Sequence, residues 1–377
     1  MLTRMALLLL SAMFIPAFAW TQTADLINQA KKEGGEVVLY TTMTVGDFQH
    51  FNKAAKEKYP FLNIRHVYLS SARQAARVMQ EFRAGRVQAD VLGNSPEPLL
   101  YFKQQGVLGN YLSPEAKNLL KGAWDPDGYW SGITTDLLVT GFNPRLISRA
   151  AAPKNYDDYL RPQFKGQLAV NRGVPYPLTG MVSLRGEEQG IAYFKKLSQQ
   201  DLRLVEGYTH TINLMAAGEY SLTTFMQISK LDAMKRKEAP VDWIASPQTL
   251  ATISTVAMIK NPLHPAAAQL LIDFYLSAEG QRGLAASGKI PLLRGVKSQS
   301  REVDQLMETG SFHVILPEGL RPVYEDLQRV SRSQIKHSRD RARGVTFVPP
   351  RRVPCRRRFF PSAATALHRR HLPSSRL

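Results

Sequence analysis

Ile133-Thr-Thr-Asp-Leu-Leu-Val-Thr-Gly-Phe-Asn143 is the stretch that decides the fold. Its Leu137-Leu138-Val139 centre reads as a short buried strand, entered through Thr134-Thr135-Asp136 and left through Asn143-Pro144. One run of alternating strands and helices precedes it and a second follows. Leu250 to Lys260 (LATISTVAMIK) is another β-rich run, after which helices and loops finish the chain. The two β-rich runs read as crossings of a two-lobed α/β molecule, two strands that form a hinge with a cleft where they pass.

Working outward toward the N-terminus, Glu36 to Tyr40 (EVVLY), Asn63 to Leu69 and Ala89 to Leu92 read as strands, each followed by a polar loop and a helix. The loops are Thr41 to Thr44, Ser70-Ser71 and Gly93 to Pro96. Three such units in succession predict a parallel sheet with helices on its faces. Ligands of such sheets bind beyond the carboxyl ends of the strands, so the three loops converge on one rim.

The same grammar follows the first crossing. Gln167 to Asn171 is a strand leading into Arg172 to Gly180, and Arg203 to Val205 and Tyr220 to Phe225 are further strands. Helices are expected over Thr211 to Ala217 and Gln227 to Lys237, and another opens at Pro265, well placed in a first helical turn. The resulting division is lobe 1 over 20–135 and 260–335, and lobe 2 over 136–259.

The charge of +18 on 377 residues is concentrated at one end. Residues 336–377 carry twelve Lys or Arg against Asp340, a net of +11, which leaves 37 basic and 30 acidic residues, a net of +7, elsewhere. That final stretch has Arg runs, scattered Pro and Ser, and no helical or strand period, so it is expected to be disordered or spurious, such as a shifted-frame extension. A nucleic-acid role would have to rest on it, and none is expected of the body. Residues 1–19 read as a secretory leader: Arg4, an apolar run from Met5 to Phe14, then Ala17-Phe18-Ala19 as a small-x-small cleavage site. The apolar run is shorter than the ~20 residues a membrane span needs. Cys355 is the only cysteine, so the body carries no disulfide.

Catalytic motifs are mostly missing. Gly283-Leu-Ala-Ala-Ser-Gly288-Lys289 fits seven places of a phosphate-binding loop, but Ile290 replaces the hydroxyl and a helix precedes it, so a glycine-capped helix end is expected. Asp125-Pro-Asp127-Gly128 lacks the later ligands of a calcium loop and reads as a turn. No G-x-S-x-G or H-E-x-x-H occurs. The histidines are scattered, Lys235-Arg236-Lys237 reads as a solvated helix end, and Tyr129-Trp130 as either core or cleft lining. What remains is binding chemistry. Thr41, Thr42, Ser71, Arg73, Asn94, Ser95, Arg172, Tyr176 and Thr179 fall in loops after strands or at helix starts, with Thr135 at the crossing. Free N–H groups and the helix dipole favour anions there, and a guanidinium adds two-pronged recognition of carboxylate or phosphate.

The chain resembles the periplasmic (extracellular) solute-binding proteins of ABC importers, in the branch that includes iron(III)-binding proteins. The resemblance rests on Lys32-Glu-Gly-Gly-Glu-Val-Val-Leu-Tyr40, Ala89-Asp-Val91, Tyr156-Asp-Asp-Tyr-Leu-Arg-Pro-Gln-Phe-Lys-Gly-Gln167, Ala217-Gly-Glu-Tyr220, and Ser277-Ala-Glu-Gly-Gln-Arg282 running on to Gly288-Lys-Ile-Pro291. It implies the type II binding-protein fold, a monomer that closes over a small solute, a permease partner at the inner membrane, and neither cofactor nor catalysis. Iron-binding members resembling this chain use a His after the first strand, a Glu after the third and a Tyr pair late in the second lobe. Those places hold Thr44, Ser95 (with Glu97 nearby) and Ile228-Ser229 here. The expected solute is therefore a small organic anion, with no metal site. A ferric carrier of the same fold, or an exported two-domain hydrolase, is the alternative.

Overall fold

The computed structural model describes residues 17–120, 122–172, 174–309 and 312–315. All of them belong to one compact unit, Met1–Glu325. The expected leader lies almost wholly outside the described residues; the basic tail and Cys355 lie outside them altogether.

In chain order the elements are α1 (Ala17–Lys32), β1 (Glu36–Thr41), α2 (Val45–Lys58), β2 (Asn63–Tyr68), α3 (Ser71–Arg83), β3 (Val91–Asn94), α4 (Pro96–Gln104) and the long β4 (Ser131–Phe142). There follow β5 (Leu168–Arg172), α5 (Tyr176–Arg185), α6 (Glu187–Leu197), β6 (Arg203–Glu206), α7 (Tyr208–Ala217), β7 (Leu222–Gln227), α8 (Ile228–Lys235), β8 (Asp242–Ile244) and β9 (Thr249–Met258). The chain continues with α9 (Pro265–Leu276), α10 (Ala278–Ala286), β10 (Ile290–Pro291), α11 (Arg301–Thr309) and β11 (Phe312–Val314).

One sheet runs β2-β1-β3-β9-β4-β7-β5-β6. The two expected crossings, β4 and β9, lie side by side at its centre, antiparallel from Ser131↔Val256 to Leu138↔Leu250. Each serves both halves. The late part of β9 pairs with β3 and the late part of β4 with β7. Alternation along the strand explains how: Leu138 joins an apolar cluster with Phe142, Tyr156 and Phe225, while Leu137 and Val139 point to the other face and join Met226, Ile228 and Trp243. Ile133 and Ile253 belong to a third cluster, with Leu39, Phe51, Leu92 and Tyr275. The sheet is continuous, but its apolar packing changes partners midway along the two crossings.

Buried polar side chains fix this frame. Both carboxylate oxygens of fully buried Asp90 are engaged: they accept from Val38 N at 2.8 Å, Leu263 N at 2.8 Å and His264 N at 3.1 Å, with the His264 ring at 2.9 Å. Gln281 ties α10 to the crossing, donating to Ile133 O at 2.8 Å while accepting from Leu292 N at 2.8 Å. Tyr156 bonds both crossings at once, donating to Leu138 O and accepting from Leu250 N, each at 2.8 Å.

Several sequence expectations shift. Lys235-Arg236 is an ion-paired anchor, with Lys235 at 3.0 Å from Asp242 and 2.7 Å from Glu302, and Arg236 at 2.9 Å from Asp232. Trp130 is core, 3% exposed. Residues 260–335 read as one piece with the first half. In the structure α11 and β11, at the described end of that piece, pack on the second: Val303, Leu306 and Met307 join Met226 and Trp243, and Ile315 joins Leu138 and Phe142. The chain therefore returns across the middle a third time after β10.

Candidate functional site

Six strands end in helix starts: β1, β2 and β3 lead into α2, α3 and α4, and β5, β6 and β7 into α5, α7 and α8. Register places the two sets. The pair Asn94↔Thr255 brings the end of β3, and Gln227↔Leu138 the end of β7, to within a few residues of the middle of the crossings. In that middle segment Asp136 and Thr252 are partly exposed and Ser254 is exposed, within strands that are otherwise buried. The ends of β3 and β7, each leading into a helix, therefore flank a short, solvent-reached length of β4 and β9 from the two sides; free N–H groups at helix starts favour negative charge.

The sequence placed the site residues in loops; pairing extends the strands past that estimate. Thr41, Asn94 and Arg172 are the last residues of β1, β3 and β5, and Thr135 lies inside β4. Ser71 and Tyr176 open helices, Ser95 is the N-cap of α4, and Arg73 and Thr179 lie within helices.

On the first-half side, Thr41, Thr42, Asn94 and Ser95 are brought together, since Thr42 N bonds Gly93 O at 3.1 Å. Gly93 is required there: a Cβ would stand 2.7 Å from Thr41 Oγ1. Most of these side chains are engaged within the fold. Thr41 Oγ1 accepts from Met43 N at 3.0 Å. Asn94, 2% exposed, donates to Gln74 Oε1 at 2.6 Å and accepts from Ser95 N at 2.8 Å, and Gln74 in turn donates to Tyr40 O and Gly93 O. Thr135 Oγ1 donates to Thr252 O at 2.9 Å and so ties the two crossings. Half-buried Ser71 and exposed Arg73 stand at the start of α3, where Arg73 lines a groove along that helix with Leu69, Arg77 and Gln80.

On the second-half side, Arg172 is exposed and lies 3.2 Å from Glu206 across the ends of β5 and β6. Thr179 is fully buried, its hydroxyl turned back to Pro175 O and Tyr176 O, so it packs α5. Tyr176 sits half-buried at the start of the same helix.

Three residues outside the sequence-derived set stand at or beside these ends. Glu97, in the first turn of α4, is 9% exposed. Burial lifts its pKa, against its own backbone N–H and the Ser95 hydroxyl. Asp136, on β4, accepts from Ser229 N at 3.2 Å and from Ser229 Oγ. Burial raises its pKa too, opposed by those two donors and by Lys230 and Lys289. Tyr208 opens α7, and its hydroxyl is buried without a hydrogen-bond partner. Asp136 was visible in the sequence as the one acid within a buried strand, but it read as part of a polar entry. Nothing local marked Tyr208, because α7 was expected to start at Thr211; Gly207, at φ 87°, starts it three residues earlier.

At the places where the resemblance to iron-binding proteins implies a His, a Glu and a Tyr pair, Thr44 caps α2 by accepting from Asp47 N at 3.2 Å, Glu97 supplies one carboxylate, and Ile228 is core. Among the described residues no group of three or more His, Cys, Asp or Glu is placed to hold a metal ion.

Residues 90–316, more than half of the chain, match the family of bacterial extracellular solute-binding proteins. Solved structures share the fold. Iron-bound HitA from Pseudomonas aeruginosa is 19% identical with a TM-score of 0.63, over 71% of this chain and 89% of that one. AfuA from Actinobacillus pleuropneumoniae, a periplasmic binding protein with fructose-6-phosphate bound, is 21% identical with a TM-score of 0.59, over 70% and 87%. The ferric binding protein from Campylobacter jejuni is 21% identical with a TM-score of 0.63, over 71% and 90%. The two-lobed fold expected from the paired crossings is the fold of these binding proteins.

Proposed function

The chain belongs to the bacterial extracellular solute-binding protein family, and from that premise we propose that it captures a small organic anion between its halves and hands it to an ABC permease at the inner membrane. The observation that carries this reading is that strand ends leading into helices, β3 from one half and β7 from the other, flank the solvent-reached middle of β4 and β9. Each such charge–dipole contact is worth roughly 0.3–1 kcal/mol when exposed. Contacts from only one half would bind without closing the molecule, because a ligand shifts a two-state balance only by its difference in affinity for the two states.

The moving bodies in this reading are the elements around Leu39, Phe51 and Leu92 and those around Leu138 and Met226, with α11 and β11 travelling with the second. Arg73 and Arg172 supply guanidinium groups at the rim. Residues 1–19 direct export, and the protein acts as a monomer. AfuA, solved with an organic phosphate on this fold, lends the anion support. A ferric carrier is the weaker reading, because Thr44 and Ile228-Ser229 offer neither the imidazole nor the phenolates expected of one.

Calorimetry of the purified protein against organic phosphates, carboxylates, phosphonates, polyamines and ferric citrate tests this. At least one organic anion should bind, with the radius of gyration in solution scattering falling on addition. Arg172→Ala should weaken that binding several-fold. Binding of ferric citrate or a polyamine in place of every organic anion overturns the assignment.

A further inference from the structure

Asp136 is the only acid in either crossing strand, and it stands where β4 passes from one half to the other. Both carboxylate oxygens receive a donor from Ser229, in the first turn of α8. Helix capping alone would account for that pair of bonds. It leaves the neighbouring Tyr208 unexplained. The Tyr208 ring packs beside the cluster of Leu137, Val139 and Ile228, and its hydroxyl lies in the field of Asp136; the Asn171 amide stands near its oxygen outside ordinary hydrogen-bond geometry, and its buried proton has no acceptor. Asn171, the nearby amide at the end of β5, gives its oxygen to Gly207 N at 2.8 Å. A buried hydroxyl without a partner is costly, and the other such hydroxyls among the described residues, on Thr223 and Tyr275, sit in the core away from the carboxyl ends of the strands.

We propose that Asp136 and the Tyr208 hydroxyl form the end of the solute site that recognises a hydroxyl group, so that the captured molecule is a hydroxylated organic anion. A hydroxyl answers both groups at once, donating to the carboxylate and accepting from the phenol, which no methyl or carboxylate can do. An ammonium could donate to Asp136 and to the phenol oxygen, but it cannot accept the phenol proton, and it would meet Lys230 and Lys289, which already act on that carboxylate. The anionic end then lies toward the helix starts and Arg172, and the solute spans the two sets of strand ends. This assignment rests on the solute-binding reading above.

The test compares matched probes by calorimetry on the full chain: glycerol 3-phosphate against propyl phosphate, glycerate against propionate, and 2-aminoethyl phosphate as the ammonium counterpart. In the wild type the hydroxylated member should bind about ten-fold more tightly than its deoxy partner, the worth of about one hydrogen bond. Tyr208→Phe deletes only the unpartnered hydroxyl. It should remove most of that preference, acting on the hydroxylated probe far more than on its deoxy partner, and raise the melting temperature of the free protein. Asp136→Asn, which retains the shape, should also lower the preference and guards against a folding defect in the first variant. An unchanged preference in both variants overturns the subsite while the binding function stands. Tighter binding of the aminoethyl probe overturns the hydroxyl assignment. If no organic anion binds the wild type, the solute reading itself fails and the subsite with it.

Discussion

The ends of β3 and of β6 look alike in sequence, a polar residue between a strand and a helix, and they differ in what that residue does. At β3, Asn94 has its donor on Gln74 and its acceptor on Ser95, and Gln74 commits its own amide to the carbonyls of Tyr40 and Gly93. At β6, Tyr208 brings a hydroxyl that is equally hidden from water and makes no bond. Both residues are polar, both stand at the rim, and a rule based on position would choose both. Counting donors and acceptors separates them: the first end is closed on itself, the second is open to something else. The difference predicts that substitutions in the amide network at the end of β3 register as lost stability, and those at the end of β6 as lost affinity.

Asp90 is where that contrast can be broken most forcefully. Its carboxylate answers three backbone N–H groups and the His264 ring, joining β1 to the start of α9. Asp90→Ala strands those donors in the core, a loss of about 3–5 kcal/mol, as for breaking other buried charged networks. Denaturant unfolding should show it directly, with solute affinity unchanged in whatever fraction remains folded. A variant of normal stability and weakened binding would move Asp90 from the frame to the site.

A second aspartate of the first half sharpens the point because it is only half answered. Asp273 on α9 takes a hydrogen bond from Tyr111 at 2.8 Å, while its other oxygen has no partner. Burial pushes its pKa up to about 6, against the hydroxyls of Ser113 and Tyr111, with Glu115 adding to the rise. Folded, the group thus holds its proton at a higher pH than the unfolded chain does. Stability is greatest below the unfolded value near 4 and declines as pH rises through the window to about 6. Asp273→Asn should abolish that decline and raise stability at pH 7 by roughly 2–3 kcal/mol, since each ten-fold difference in proton affinity between the folded and unfolded chains is worth about 1.4 kcal/mol. Melting temperatures of both proteins between pH 4 and pH 7 check it, and parallel curves would show that Asp273 titrates normally.

The sequence was informative where period carries the signal. The continuous apolar run Leu137-Leu138-Val139 and the β-rich run through β9 identified the two crossings, and three strand–loop–helix units predicted the parallel part of the sheet. It was less informative at boundaries. Gly93-Asn94 has poor strand propensity, yet Asn94 is drawn into β3 by pairing with Thr255, and Arg172 into β5 by pairing with Glu206. The return of α11 was invisible for a related reason. Val303, Leu306 and Met307 mark an apolar face, but a face does not say which half will cover it. The site suffered most, because a free hydroxyl differs from a satisfied one only by neighbours that are remote in sequence. Asn94 and Gln74 are 20 residues apart, and Asp136 and Ser229 are 93.

The smallest effect is the most direct test of the contrast. Asn94→Ala deprives Gln74 Oε1 of its donor and Ser95 N of its acceptor in a region that is 2% exposed at Asn94 and fully buried at Gln74. The cost should be about 1–2 kcal/mol, since two partial replacements by the neighbouring main chain are available at a helix start. Urea unfolding would read that loss, and calorimetry should give an affinity for the best-bound organic anion within two-fold of wild type. If affinity falls ten-fold while the unfolding midpoint holds, Asn94 is a ligand residue after all. The amide pair would then have to open on binding, and both strand ends would belong to one continuous site.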